Sequence, residues 1–494
     1  MYLGIDLGTS SLKALLVDDE QREVGQASAA LSVQRPQPLW SEQNPDDWWQ
    51  ALRLALAELR THYPERLAAV RAVGLAGQMH GAVLLDGRDN ILRPAILWND
   101  GRSARQCAEI ERRVPASRHI TGNLAMPGFT APKLLWVAQE EPDVFAQVRH
   151  VLLPKDYLRL RLTGDYVSEM SDAAGTSWLD VSRRAWSPEM LAATRLSEAA
   201  MPRLVEGSQP TGCLRRELAD DWGMRADVAV AGGGGDNAAG AVGIGVIHDG
   251  QAFVSLGTSG VYFVANDSYK PYPQSAVHTF CHCLPQTWHQ MAVTLSAASC
   301  VTWLAQLTGA ASEAALLDEI AATDGERNVV FLPYLSGERT PHNDPQAKGV
   351  FFGLEHATRR ADLGRAVLEG VAFALADGQD ALLASGTTIR DVSVIGGGAR
   401  NALWGKILAS ILDRRLRYHR GAEVGPAAGA ARLARLAVTK EAAGDVCSSP
   451  PLAHIIEPEP AWRHRYAERH RLYRRLYEQL KESFHSLSVG AMNE

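Results

Sequence analysis

Gly4-Ile5-Asp6-Leu7-Gly8-Thr9-Ser10-Ser11 opens the chain, and Val254-Ser255-Leu256-Gly257-Thr258-Ser259-Gly260 returns to the same pattern almost halfway along it. Each copy follows a short apolar segment and leads into another, Leu12-Lys13-Ala14-Leu15-Leu16-Val17 in the first and Val261-Tyr262-Phe263-Val264 in the second. The pattern reads as strand, tight turn, strand, a hairpin made twice. Self-similarity of this kind predicts two structurally related lobes.

Around the hairpins, strand-like and helix-like stretches alternate, as in an α/β architecture. Val70–Ala76, Ala95–Trp98 and Asp391–Ile395 read as strands. Asn44-Pro45-Asp46-Asp47 reads as an N-cap with proline in the first helical turn, opening a helix through Arg60. The chain has 494 residues, too many for one core, so two or three domains are expected. We place the divisions at 1–247, 248–440 and 441–494.

Composition removes several classes. With 46% apolar and 21% charged residues the chain is not broadly disordered, and a net charge of −6 argues against a generally basic nucleic-acid binder. Six scattered cysteines suit a reducing, cytoplasmic setting, and Asp6 interrupts the apolar start that a signal peptide would need. Trp288–Ser312 lacks Asp, Glu, Lys and Arg, yet its many polar residues favour a strand followed by a buried helix over a membrane span. The Arg-rich segment from Ala461 to Ser483 carries Trp462, Tyr466, Tyr473 and Tyr477 at helical spacing, so docking onto the body is favoured over a nucleic-acid arm.

Several loops carry residue types suited to chemistry. No Walker A sequence occurs, and Gly233-Gly234-Gly235-Asp236-Asn237-Ala238 lacks the distant acidic residue that ribose recognition by a dinucleotide fold requires. The two Gly-Thr-Ser turns suit phosphate better: small residues let backbone N–H groups converge, and the hydroxyls of Thr9, Ser10, Thr258 and Ser259 add donors. Gly396-Gly397-Gly398 at a strand end, before a helix at Asn401, offers a surface for a flat adenine or ribose, or is a plain tight turn. Asp6 beside the first turn is a candidate to hold Mg²⁺ through water. Asp236 is either a helix N-cap or a general base, already ionised, for a substrate hydroxyl. His80 is either a core histidine or a loop contact to a polar ligand. His278, Cys281, His282, Cys283 and His289 are metal-ligand types, but the adjacency of 281–283 lacks zinc spacing.

The turns, with Gly396-Gly397-Gly398-Ala399, resemble the two phosphate loops and the adenosine loop of the sugar kinase/Hsp70/actin superfamily. Gly128-Phe129-Thr130-Ala131-Pro132-Lys133-Leu134-Leu135-Trp136-Val137 and Gly349-Val350-Phe351-Phe352-Gly353-Leu354 are similar to stretches of its FGGY family of carbohydrate kinases, over residues 1 to about 440. The resemblance implies two ribonuclease H-like, actin-like ATPase domains with a cleft between them. It also implies ATP as co-substrate and Mg²⁺ as cofactor. Gly77-Gln78-Met79-His80-Gly81, Trp98-Asn99-Asp100-Gly101-Arg102 and Gly337-Glu338-Arg339-Thr340-Pro341-His342 look most like members acting on D-xylulose. By that resemblance Asp236 is the base, Asp6 supports magnesium, and Met79, His80, Asp236 and Asn237 line the sugar end. Nucleotide contacts fall on Gly8, Thr9, Ser10, Ser11 and Lys13, on Gly257, Thr258 and Ser259, and on Gly397, Gly398 and Asn401. L-ribulose, gluconate or a polyol are the alternative sugars, and an actin- or Hsp70-like ATPase switch is the alternative class. Homodimers are common in the family, so a homodimer is carried as an expectation, without nucleic-acid or membrane partners.

Overall fold

The computed structural model describes residues 1–323, 328–420 and 425–490. The last four residues of the expected 441–494 segment, with 324–327 and 421–424 of the preceding one, therefore lie outside the described residues.

The first hairpin is β1 (Tyr2–Leu7) paired antiparallel with β2 (Ser11–Val17), Asp6 standing opposite Lys13. β3 (Glu23–Ala30) extends it antiparallel on the β2 side. The helix α1 (Pro45–His62) follows, and the Asn44 side chain accepts from the N–H of Asp46 at 3.2 Å, the cap that the sequence pattern predicts. β4 (Ala72–Gly77) then joins β1 in parallel. β5 (Pro210–Cys213) and β6 (Ala229–Ala231) complete the order β5-β6-β4-β1-β2-β3, while the short β7 (Gly234–Gly235) pairs with the end of β4.

The second sheet repeats the plan. β8 (Gln251–Leu256) and β9 (Gly260–Asn266) make the second hairpin, and β10 (His278–Cys281) and β11 (Trp288–Thr294) extend it. β12 (Asp391–Ile395) joins β8 in parallel, as β4 joins β1. With β13 (Leu416–His419) and β14 (Leu452–Ile456) the order is β10-β11-β9-β8-β12-β13-β14. Both sheets thus place an antiparallel hairpin beside a parallel strand, the two-lobed α/β arrangement expected from the repeat. The uncharged stretch after Trp288 divides into β11 and the helix Ala298–Leu307, and no described helix is long and apolar enough to cross a membrane.

Five helices carry or brace the loops at the strand ends: α2 (Thr130–Glu140), α3 (Met170–Ala174), α4 (Asp236–Ile244), α5 (Ala298–Leu307) and α6 (Arg360–Ala384). α7 (Ala402–Leu412) leads to α8 (Gly425–Val438), whose packing the sequence does not announce. Although α8 falls between β13 and β14 of the second sheet, it lies on the first sheet, crossing α4. A Cβ at Gly4 of β1 would be driven into the carbonyl oxygen of Ala427, and one at Gly74 of β4 into that of Ala430. Only glycine permits helix backbone to rest on sheet backbone in this way.

The C-terminal helix α9 (Arg463–Gly490) docks on the second lobe. Tyr466, Tyr473, Tyr477 and Phe484 are buried in its core. Three of the arginines that raised a nucleic-acid reading face α6: Arg465 and Arg469 reach Glu369, at 3.3 and 2.6 Å, and Arg474, with His470, reaches Asp377. A third cluster joins the lobes beneath the cleft, with Met79, Phe129 and Met170 from the first and Phe253, Phe263 and Phe280 from the second.

Candidate active site

The first turn is held by a chain of hydrogen bonds from behind. Trp48 Nε1 donates to Gln43 Oε1 at 3.0 Å, Gln78 Nε2 donates to the same oxygen at 3.0 Å, and Gln43 Nε2 donates to the Thr9 carbonyl at 2.7 Å. The Thr9 hydroxyl donates to Gln78 Oε1 at 3.2 Å and accepts from Trp98 Nε1 at 2.9 Å. In this structure the Thr9 Oγ1 proton is engaged by Gln78, so the hydroxyl helps to fix the shape of the turn. The hydroxyl-bearing Ser10 and Ser11 are exposed, Gly8 N–H closes the turn onto the Ser11 carbonyl at 3.0 Å, and Lys13 lies on the strand face that carries Asp6.

The second turn is buttressed by the start of α5. Ala298 N–H donates to the Gly257 carbonyl and Ala297 N–H to the Thr258 carbonyl, both at 2.9 Å, and Ser299 Oγ donates to the Thr258 carbonyl at 2.7 Å. A cavity of about 410 Å³ opens beside this turn, where Gly257 and Thr258 meet Gly397, Gly398 and Asn401. The structure therefore brings the second turn and the triple-glycine end of β12 to one space, with Leu317 and Trp404 as apolar walls. Asn401 caps α7, its Oδ1 accepting from Trp404 N–H at 2.9 Å, so the amide's donor end is what remains for a ligand. Ser259 adjoins this turn but does not line the cavity.

Asp6 and Asp236 come together from distant parts of the chain. Burial and the neighbouring Asp236 charge push the Asp6 carboxyl up to about 7, only partly offset by Lys13. Its Oδ1 is enclosed without a hydrogen-bond partner. Burial also raises Asp236, to about 6, against the opposing donation from Asn237, whose N–H and Nδ2 reach Asp236 Oδ1 at 2.7 and 2.9 Å. Two sequence expectations change here. Gly235, not Asp236, occupies the N-cap of α4, and Asp236 is the first helical residue. Its helix-terminal position does not hold it at the low pKa of a fully ready carboxylate, because desolvation outweighs the favourable dipole. A carboxyl near 6 is still mostly ionised at pH 7 and suited to receive a proton there.

Met79 and His80 reach the same place from β4. A Cβ at Gly235 would fall 2.9 Å from Met79 Cγ, so Met79 packs directly against the residue before Asp236. His80 has a left-handed backbone, φ 69°, uncommon for a residue with a side chain. Three donors explain it: the His80 carbonyl accepts from Thr130 Oγ1 at 3.1 Å and from Lys133 Nζ at 2.8 Å, and the ring's Nδ1 lies 2.6 Å from the Gly175 carbonyl. Since a carbonyl only accepts, Nδ1 carries the hydrogen and Nε2 is an acceptor. Burial and the Lys133 charge hold His80 down at about 3, so it is neutral at ordinary pH. Gln78, Met79 and His80 therefore run in sequence from the first turn to the Asp236 loop.

Behind that loop lies a cluster that sequence reading missed. Lys155 Nζ is 2.6 Å from Asp156, 3.1 Å from Asp172 and 3.6 Å from Glu169, all four side chains fully enclosed. Glu169 caps α3 and accepts from the Ser171 hydroxyl, while Ser171 Oγ accepts from Gly235 N–H at 3.0 Å. Arg159 donates to the Ala231 and Gly232 carbonyls, each at 2.7 Å. The glycine run before Asp236 is thus clamped at both ends. Asp156 adjoins Lys155 in the sequence, but nothing local signals that the fold brings Glu169 and Asp172 onto the same ammonium.

The suspected metal cluster separates into packing roles. His289 stacks on Phe263 and His278 on Phe280, Cys281 Sγ lies 3.5 Å from the Val181 carbonyl, and burial keeps His282 down at about 4. Among the described residues, no three His, Cys, Asp or Glu side chains are grouped to hold a metal ion.

Comparison with known proteins gives a concordant picture. Residues 1–243 match the N-terminal domain, and residues 252–438 the C-terminal domain, of the FGGY family of carbohydrate kinases. A xylulose kinase of Escherichia coli (strain K12) is 55% identical over 482 residues, covering 97% of this chain and 99% of that protein. The crystal structure of a "xyloylose kinase" from Brucella ovis superposes with a TM-score of 0.95 at 53% identity, over 97% of this chain and 99% of that one. That of a xylulose kinase from Rhodospirillum rubrum gives 0.91 at 30% identity, over 98% and 99%. On the match of both domains and of these relatives along nearly its whole length, the chain belongs to the FGGY family of carbohydrate kinases.

Proposed function

We propose that this protein phosphorylates D-xylulose with ATP, giving D-xylulose 5-phosphate and ADP, with Asp236 as general base. The observation that carries the reading is the position of the Asp236 carboxylate, next to the Gly235 that packs on Met79 and near enough to Asp6 for the two charges to repel. The relatives named as xylulose kinases support the choice of sugar. In the transfer, the terminal sugar oxygen forms a bond to the γ-phosphorus as the bond to the β,γ-bridging oxygen breaks, and the hydroxyl proton passes to Asp236. Such transfers depend more on positioning and charge neutralisation than on a strong base. The clamped glycine run supplies positioning, and the two turns, with the cavity beside Gly397 and Gly398, supply nucleotide contacts.

Asp6 fits a divalent cation. Its enclosed, unpartnered oxygen and its repulsion by Asp236 leave a local excess of negative charge that Mg²⁺, held through water, would relieve. When bound, that ion supplies neutralising charge for the polyphosphate. Six cysteines without a disulfide suit a cytoplasmic enzyme, and a homodimer belongs to the same proposal.

ADP release measured across pentuloses, hexoses and polyols tests the reading. We expect release in proportion to added D-xylulose. Strong preference for L-ribulose, gluconate or a polyol would overturn the substrate, and sugar-independent turnover would overturn the kinase assignment in favour of an ATPase switch.

A further inference from the structure

The loop Gly337–His342 belongs to the second lobe. It is stitched firmly to β11: Thr340 N–H donates to the Val293 carbonyl at 3.1 Å, and Val293 N–H donates to Thr340 Oγ1 at 3.0 Å. Glu338 turns inward, its Oε1 accepting from the N–H groups of Leu295 at 3.0 Å and Arg339 at 2.7 Å. Its other oxygen is enclosed and has no hydrogen-bond partner, so this adjacent carboxylate favours the Arg339 charge without hydrogen-bonding the guanidinium.

The Arg339 guanidinium instead extends toward the first lobe. Nη1 lies 3.3 Å from His278 Nε2. The amide of Asn123 fixes the direction of that bond. Asn123 Oδ1 accepts from Thr279 N–H at 3.1 Å while Asn123 Nδ2 donates to the Thr279 carbonyl at 2.9 Å, which assigns the amide. His278 Nδ1, 3.2 Å from that Oδ1, therefore carries its hydrogen, and Nε2 accepts from Arg339. His278 and His80 both pack on Phe129, with ring centroids 5.5 and 4.8 Å away, and the Arg339 charge is close enough to His80 to disfavour its protonation. Among the described residues no carboxylate lies within ion-pair reach of this guanidinium, and His278 is its one side-chain partner. The residue is half-buried, so the donors that His278 does not take face outward, where a ligand's acceptor can meet them.

Sugar chemistry indicates which atom does so. A 2-ketopentose closes its furanose ring through the terminal oxygen, so phosphorylation of that oxygen requires the open chain, which exposes a ketone at C2. A ketone oxygen only accepts hydrogen bonds, and guanidinium only donates. We propose that Arg339 is a substrate-binding residue whose guanidinium, delivered from the second lobe, donates to the C2 carbonyl of the open-chain ketose, while His80 Nε2 accepts from a neighbouring hydroxyl. This assignment rests on the proposed phosphorylation of D-xylulose.

The test compares wild type with Arg339→Gln and Arg339→Lys, using KM for D-xylulose, KM for ATP, and Ki for xylitol, in which C2 bears a hydroxyl. Arg339→Gln should raise KM for D-xylulose by about tenfold or more, with KM for ATP unchanged. The ratio of xylitol Ki to D-xylulose KM should collapse toward one, and Arg339→Lys should fall between. A D-xylulose KM within twofold of wild type in either variant would overturn the assignment. So would an equal weakening of ketose and polyol, or a parallel rise in both KM values. Wild-type turnover with D-xylulose is read first, so failure of the substrate reading is seen independently of the variants.

Discussion

The rate-limiting charge state of the site can be read out by pH. In the free protein Asp236 has a pKa of about 6, raised by burial, and a base must be ionised to act. The direction is fixed: protonation as pH falls removes activity, and ionisation as pH rises restores it. With Asp6 held ionised by saturating Mg²⁺ and Asp236 titrating alone near 6, about nine-tenths of molecules carry the ionised base at pH 7 and about one-tenth at pH 5. The sugar kcat/KM, which reports the free enzyme, should therefore fall by about tenfold between pH 7 and pH 5. A direct ADP assay, with no coupling enzymes to titrate, in constant-ionic-strength buffers and at saturating ATP and Mg²⁺, measures it. Asp236→Ala should lower turnover by roughly 10²–10⁴-fold and remove this acid limb from the residual rate. A profile flat from pH 5 to 8, or a limb that persists unchanged in Asp236→Ala, would refute the assignment of the base.

Asp6→Asn should abolish the magnesium response of turnover yet raise the melting temperature at pH 8. The folded-state pKa is raised to about 7, so ionisation destabilises the fold as pH rises through that window, and the gain should shrink at pH 5, where Asp6 is already protonated. Thr9→Val strands the buried Gln78 Oε1, a loss of about 1–3 kcal/mol, and releases the exposed Trp98 indole N–H to water, which should appear as a higher KM for ATP together with altered tryptophan fluorescence. Glu369→Ala leaves the guanidinium of Arg469 without its carboxylate, and urea titration should show about 3–5 kcal/mol less stability with kcat retained in the folded fraction.

What the sequence made legible was whatever is encoded locally. The hairpins needed only the alternation around Gly8 and Gly257, α1 only its Asn44-Pro45 start, and the Asp236–Asn237 loop only its glycine run after a strand. Hidden features depend on partners far away in the chain. That Thr9 Oγ1 is already engaged comes from Gln78 and Trp98, 69 and 89 residues distant. The raised Asp236 pKa comes from burial that no local pattern reports, and the helix-terminus argument alone gives the opposite sign. Lys155 reads as one more surface lysine until the fold encloses it with three acids.

The seating of α8 has a mechanical consequence. Where it crosses β1, β4 and α4, bare backbone meets bare backbone, since a Cβ at Gly429 would likewise be driven into the Ala239 carbonyl. At those glycines the joint has no side chain to swap rotamers and no slack to take up. We expect any relative movement of the lobes to pivot at this joint rather than slide along it, since sliding would strip the main chain of its neighbours, and a single added methyl at Gly4 or Gly74 should wedge it open while leaving every reacting group untouched.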